Sequence, residues 1–223
     1  TAGITAGYLN VENGGGEDPR FPSVLDLFEP SRLPGVNREQ AFTVIEPFLS
    51  YASVNRAVND RSGGVYRLSA AQYRNRDDGA YSFSRWEADL RQFIGFEKDT
   101  RSLALRAWAV STTPDDGAEV PFYLQPTLGG ARSLRGYRTF RYRDRSALLL
   151  QAEYRWRVNE FVHGALFYDT GAVAPTLRDL GGLERNYGFG LRAGNRMGAA
   201  FRIDIAFGGR EGRRYLLRFD DAF

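Results

Sequence analysis

The sequence predicts an all-β protein, an antiparallel β-barrel, and three observations carry that expectation. Apolar and charged residues alternate with a period of two, segment after segment, and the helical period is missing from those segments. No run approaches the roughly 18 to 20 apolar residues that a membrane helix needs, a test that barrel strands escape because only every second residue has to be apolar. The apolar faces also end in aromatic residues, as interfacial girdles do.

The strand Ser146–Val158 shows the pattern best. Leu148, Leu150, Ala152, Tyr154, Trp156 and Val158 share one face, while Gln151, Glu153, Arg155 and Arg157 share the other. In the segment 81–96, Trp86, Ala88, Leu90, Ile94 and Phe96 oppose Arg85, Glu87, Asp89 and Arg91. In 199–207, Phe201, Ile203, Ile205 and Phe207 oppose Arg202 and Asp204. The last segment, 213–223, sets Tyr215, Leu217, Phe219 and Phe223 against Arg214, Arg218 and Asp220. Further strands are expected over 42–56, 64–74, 102–111, 161–173 and 187–193, and one more near Ile4–Val11, which makes about ten. Turn signals such as Asp77-Asp78-Gly79, Pro114-Asp115-Asp116-Gly117 and Glu211-Gly212 separate them, alternating short turns with longer loops. Residues 13–40 read as a long loop with a helical turn at Leu25–Phe28.

A soluble β-sandwich, and with it a binding module, is the competing reading, since a sandwich also alternates. Two details favour the barrel. The charged faces carry both signs at neighbouring positions, as a paired interior would, and strand ends are marked by Trp86 and Phe96, Tyr154 and Trp156, Tyr215 and Phe223.

Composition narrows the functional classes. The formal charge of +3 gives little support to nucleic-acid binding. There are no cysteines, so disulfides and thiolate metal sites are excluded. His163 is the single histidine; its parity places it on the face of Asp169, but it has no nucleophile or second imidazole to work with. Asp77-Asp78, Asp115-Asp116 and Asp220-Asp221 lie in turns or at the end, where solvation accounts for them, and Gly14-Gly15-Gly16 matches no phosphate loop. No catalytic residue, metal or cofactor is expected, and the chain does not read as an enzyme.

The densest motif is the loop GGARSLRGYRTFRYRD at residues 129–144. It resembles the Arg-Gly-Phe/Tyr loop of the BamA/TamA-like outer-membrane superfamily, also called the bacterial surface antigen family. The likeness continues through Ala147–Arg155 and through Phe167-Tyr168-Asp169-Thr170-Gly171. Pro47–Tyr51, Arg61–Gly64, Phe83-Ser84-Arg85 and Asp89–Phe93 look like the same family's earlier strands. The resemblance implies that residues 1–223 are a transmembrane barrel domain in the bacterial outer membrane, without the periplasmic POTRA domains that usually precede it: either the C-terminal portion of a sixteen-strand barrel, or a shortened member whose ten strands close into a narrow barrel or combine with those of a second chain. It implies a role in inserting or translocating other proteins, with the lipid bilayer and unfolded clients as partners and no cofactor. Accessory lipoproteins and a homodimer are compatible with it. An alternative within the same fold is a membrane anchor or secretion barrel for a fused passenger, for example a patatin-like enzyme.

On that resemblance, Leu134, Arg135, Gly136 and Tyr137 form a loop tip inside the barrel. The Arg135 guanidinium offers a rigid fork that grips a carboxylate bidentately and stays charged. Glu153 and Asp169 have the parity to receive it, Gly136 would permit a close reversal, and Tyr137 would wedge the tip. Bracing the barrel is the expected role. The terminal strand, with Tyr215, Leu217, Phe219 and Phe223, resembles a C-terminal assembly signal and the weak seam of assembly factors, where an unpaired edge can template another strand.

Overall fold

A computed structural model of the chain describes residues 1–14, 20, 22–29, 33–54, 62–97, 100–195, 198–208 and 211–219. The alternation folds as one antiparallel sheet of ten strands. In chain order the elements are β1 (Ala2–Val11), α1 (Val24–Leu27), β2 (Gln40–Ala52), β3 (Gly63–Asn75), β4 (Phe83–Phe96), β5 (Arg101–Pro114), the two-residue strands β6 (Thr127–Leu128) and β7 (Tyr142–Arg143), then β8 (Ser146–Arg157), β9 (Val162–Ala174), β10 (Glu184–Asn195), β11 (Gly198–Gly208) and β12 (Gly212–Arg218). Every strand of the large sheet pairs with its sequence neighbour, except that β5 pairs directly with β8 while the short β6–β7 ribbon stands apart. The outer edges of β1 and β12 have no strand partner among the described residues, so the sheet is open.

Pleating sorts the two faces. Ile4, Leu49, Leu68, Trp86, Leu90, Leu150, Leu166, Phe189, Ile203 and Leu217 stand exposed on the outer face, which is apolar across the sheet. Glu153, Arg155, Asp169, Arg192, Arg202 and Asp204 are buried on the opposite, inner face. Water cannot stabilise an apolar shell of this extent, whereas hydrocarbon can, and the charged side then needs its own partners. The pairs β1–β2, β3–β4, β5–β8, β9–β10 and β11–β12 are joined at one rim, and β2–β3, β4–β5, β8–β9 and β10–β11 at the other.

Boundaries differ from the sequence reading where side chains rewrite the turn. The segment expected from Tyr81 starts as strand only at Phe83, because Asn75 organises the preceding turn. Its side-chain oxygen accepts from the Asp78 and Gly79 amides at 3.2 and 2.9 Å, and its own amide donates to Ser82 Oγ at 3.1 Å. Likewise β10 begins at Glu184 rather than Tyr187, and β12 ends at Arg218, with Phe219 beyond it. Phe223, named above as part of the terminal signal, lies outside the described residues, as do Arg56 and Arg61.

The segment between β5 and β8 turns back over the inner face. Its β6–β7 ribbon holds the stem, and its apolar residues Leu128, Leu134 and Tyr137 pack with Val110, Ala147 and Leu149 of the wall. Gly171 of β9 makes room: a Cβ there would lie 3.0 Å from Leu128 Cδ1 and 2.5 Å from the Leu148 carbonyl oxygen. Burial of this apolar patch holds the loop against the wall independently of any charge pairing.

Candidate functional site

The loop tip spans residues 129–141 between the two halves of its stem. Gly129 and Gly130 turn the chain with φ of +112° and +93°, and a Cβ on Gly129 would meet the Arg138 carbonyl oxygen at 2.1 Å. Gly130 N donates to Tyr137 O at 3.0 Å, Tyr137 N to Leu134 O at 3.1 Å, and the Ser133 hydroxyl clasps both the amide and the carbonyl of Gly129. The tip is thus a compact, internally bonded unit, with Arg135 projecting from its far end.

Arg135 enters a buried pocket of charge on β8–β11 and is only 1% exposed. Its Nε and Nη2 donate to the two oxygens of Asp169 at 2.8 and 2.7 Å, and Nη1 donates to Glu153 at 2.5 Å. The Arg135 amide reaches Asp169 as well, at 3.3 Å. The guanidinium also lies 3.5 Å from the centroid of the Phe167 ring, a desolvated cation–π contact. Burial alone would make Arg135 easier to deprotonate, but Asp169, then Glu153, outweigh it and hold the proton more firmly than usual.

The carboxylates have further partners, and these differ. Glu153 also accepts from Arg155 Nε at 2.8 Å and Arg192 Nη2 at 2.9 Å. Asp204 binds Arg192 Nη1 and Arg202 Nε, each at 2.6 Å, and lies 4.0 Å from Arg135. Asp169 instead accepts from two neutral amides, Asn186 Nδ2 at 2.8 Å and Gln151 Nε2 at 3.0 Å. Arg135 is therefore the one guanidinium bonded to Asp169 among the described residues. Two glycines of β10 leave space for this layer. A Cβ on Gly188 would lie 2.4 Å from the Phe167 ring, and one on Gly190 would lie 2.1 Å from Asp204 Oδ1.

Around the pocket the loop is tied down again. Tyr137 Oη lies 2.9 Å from Glu184 and 3.1 Å from the Arg185 carbonyl, and burial followed by the Glu184 hydrogen bond pushes its phenol up to about 12. Glu211, beside the β11–β12 turn, accepts from the Arg138 amide at 2.7 Å and from Arg141 Nε at 2.8 Å. Arg202 Nη2 donates to the Ala131 carbonyl at 3.1 Å.

The structure brings Leu134, Arg135, Gly136, Tyr137, Glu153 and Asp169 together at one place. Gly136 acts differently from the expected reversal: the positive-φ glycines are Gly129 and Gly130, whereas Gly136 lies flat against the wall. A Cβ there would come within 2.7 Å of Gly208 Cα and 2.6 Å of Asn186 Cβ, so two backbones meet where neither has a side chain. Tyr215 and Leu217 stand apart, exposed on the outer face of β12, and Phe219 is exposed beyond its end. Sequence reasoning did not assign Arg192, Asn186, Gln151, Phe167 or Gly208 to this site. His163 is buried on β9, opposite Arg157 and Arg192 in register, and is no part of the Arg135 contacts. The arrangement is a lock of ion pairs that fixes a loop to four strands.

The comparisons with known proteins agree with this architecture. The model of the Omp85 superfamily domain matches residues 26–215. The fold is similar to the crystal structure of BamA from Haemophilus ducreyi lacking POTRA domains 1-3, with a TM-score of 0.67 at 13% identity; the match covers 90% of this chain and 44% of that one. A search of curated proteins returned no match. With the family model spanning most of its length, the chain belongs to the Omp85 superfamily.

Proposed function

We propose that this chain forms part of the barrel wall of an outer-membrane protein that inserts or translocates other polypeptides, and that its Arg135 loop braces the wall while it does so. The reading rests on one observation above the others: a loop from one rim crosses the inner face and is locked there by an Arg–carboxylate layer spanning β8, β9, β10 and β11. A wall clamped on these strands leaves β12, bonded to β11 over Arg202–Gly208, as the strand of the sheet with the shortest pairing among the described residues. Strand exchange at such an edge needs no nucleotide, because main-chain hydrogen bonds to the incoming strand replace those to the old neighbour. The membrane face is supplied by the apolar outer shell, in which a midplane guanidinium would cost about 2–4 kcal/mol.

The test uses the full-length protein in liposomes. A urea-denatured client barrel is diluted in, and its folding is followed by the heat-sensitive shift in gel mobility. Acceleration over empty liposomes is expected, and a disulfide clamp between β12 and the first strand of the complete barrel is expected to remove it while the protein stays folded. Undiminished insertion by the clamped protein would reject the edge mechanism and favour the anchor reading.

A further inference from the structure

Charge is scarce on the outer face, and the few charged positions there are not alike. Among the described residues of the ten-stranded sheet, the outward positions are apolar, aromatic or neutral except for Arg74, Arg101, Arg185 and Arg213. All four stand at strand ends, on β3, β5, β10 and β12. Arg74 and Arg101 have acids of their own, Asp115 and Glu97, each at 3.0 Å. Arg185 and Arg213 are exposed and have no acidic partner among the described residues.

The acids closest to them in sequence are used on the other face. Glu184 precedes Arg185, and pleating turns it inward, where it lies 2.9 Å from the Tyr137 hydroxyl. Glu211, just ahead of Gly212 and Arg213, accepts from the Arg138 amide and from Arg141 Nε. The contacts that hold the loop thus leave two outer guanidiniums without a counter-charge among the described residues. Both belong to strands that start at the same rim and flank β11, so the two strands stand about 10 Å apart. Arg213 lies in register with Phe207, and Phe207 with Tyr187, the next outward position after Arg185 on β10. The Tyr187 and Phe207 rings are stacked with centroids 5.6 Å apart, and Phe189 packs against Phe207 at 6.2 Å. Two cationic side chains therefore bracket an aromatic floor where the apolar band of these strands begins.

We infer that Arg185 and Arg213 bind the phosphate of an anionic membrane lipid in the leaflet at that rim, with its acyl chains along Tyr187, Phe207 and Phe189. The inference rests on the proposed role of the apolar face as a bilayer surface. A guanidinium fork pairs with phosphate oxygens through parallel N–H donors, and two arginine side chains are long enough to close on one group across a single intervening strand. The floor selects a ligand with chains. It runs on into Ile203, Ile205 and Leu217, which a soluble anion would leave in water.

Tyr187→Trp sets a fluorophore on this floor in the full-length protein, and the protein with Tyr187 supplies the background to subtract. Both are placed in phosphatidylcholine nanodiscs that contain either phosphatidylglycerol or phosphatidylcholine with brominated chains, which quench indole on contact. Half-maximal quenching by phosphatidylglycerol is expected at about a tenfold lower mole fraction than by phosphatidylcholine, and the gap should narrow severalfold between about 0.05 and 0.5 M salt. Arg185→Gln with Arg213→Gln should abolish the gap. Arg74→Gln with Arg101→Gln should keep it, because those outer charges already have acids. Equal quenching by the two lipids, a gap that survives loss of Arg185 and Arg213 or depends equally on Arg74 and Arg101, or a gap erased by millimolar inorganic phosphate would each overturn the inference. A tryptophan quenched by neither lipid would overturn it together with the bilayer reading of this face, since water or another protein would then cover Tyr187. Client insertion is measured on the same variants. Normal insertion with equal quenching removes the lipid site alone, while lipid preference in a protein that inserts nothing leaves the site and removes the insertion reading.

Discussion

Replacing Arg135 with Ala should hurt through Asp169 far more than through Glu153. The geometry sets the inequality. Asp169 receives two guanidinium hydrogen bonds from Arg135, at 2.8 and 2.7 Å, and its other partners, Asn186 and Gln151, are uncharged. Glu153 loses one bond and keeps Arg155 and Arg192. With Asp169 fully buried, Arg135→Ala leaves a carboxylate without a counter-charge, which costs about 3–5 kcal/mol in comparable buried pairs. Glu153 remains compensated, so its share should be near 1 kcal/mol, the worth of an ordinary hydrogen bond.

A double-mutant cycle separates the two. Reversible urea unfolding of the full-length protein in lipid vesicles, followed by tryptophan fluorescence, gives the free energies. The Arg135→Ala/Asp169→Asn cycle should show coupling of roughly 3 kcal/mol, because neutralising Asp169 relieves the charge that Arg135→Ala strands. The Arg135→Ala/Glu153→Gln cycle should show about 1 kcal/mol. Arg135→Lys should recover less than half of the loss, since an ammonium group cannot span both Asp169 oxygens. Equal coupling to the two acids, or coupling to Asp169 below about 1 kcal/mol, would refute this account of the lock.

Three further outcomes follow from distances already given. Gly136→Ala should displace the loop at a cost of about 1–3 kcal/mol, the usual range for overpacking, because the new methyl would meet Gly208 backbone; protease sensitivity of residues 129–141 would rise. Phe167→Leu should cost about 2 kcal/mol through the lost Arg135 cation–π contact and some packing, with Asp169 pairing intact, so that Arg135/Asp169 coupling stays unchanged in that background. Ile203→Arg, on the exposed outer face, should slow folding into bilayers and cost about 2–4 kcal/mol if it lies near the midplane, whereas Ile203→Val should be close to neutral; equal tolerance of both would contradict a lipid-facing β11.

The sheet was legible because its signal is local. Parity along one strand assigns every side chain to a face, and Ser146–Arg157 reveals its faces without reference to any other segment. Parity gives the face but not the level, and the lock depends on level. Asp204 and Arg202 read as inward from β11 alone, yet nothing in that strand places Asp204 4.0 Å from a loop residue so distant in sequence. Arg192 escaped notice for a related reason: the two inward positions just before it on β10 are Gly188 and Gly190, so the polar half of the alternation is blank between Asn186 and Arg192. Those glycines are there because the Phe167 ring and the Asp204–Arg192 pair occupy the space above them. Phe167 itself blurs the pattern of β9, an aromatic on the polar face whose purpose shows only when the Arg135 guanidinium stacks on it.

That the lock is ionic needs its own explanation, since stability alone does not supply one. A buried ion pair is about as stable as a well-packed apolar replacement, or less so, and the apolar patch of Leu128, Leu134 and Leu149 already shows that the loop can be held by burial. What charges add is intolerance of error. Side chains in a strand change face with every residue, so a slip of one position in β8 would turn Glu153 and Arg155 toward lipid. The same slip in β9 or β11 would expose Asp169, or Arg202 and Asp204, and each guanidinium near the midplane would add about 2–4 kcal/mol. An apolar inner face would pass such a slip with little cost, because its residues suit lipid equally well. Arg135 reaches Glu153 of β8 and Asp169 of β9, while Arg192 links Glu153 to Asp204 of β11, so the layer closes only when all four strands are in register. Neutral replacement of the whole layer by matched apolar residues should therefore preserve equilibrium stability and raise the fraction of misregistered barrels, seen as extra bands in a disulfide scan between β8 and β9. A scan with the native pairing alone would show that the charges are dispensable for register.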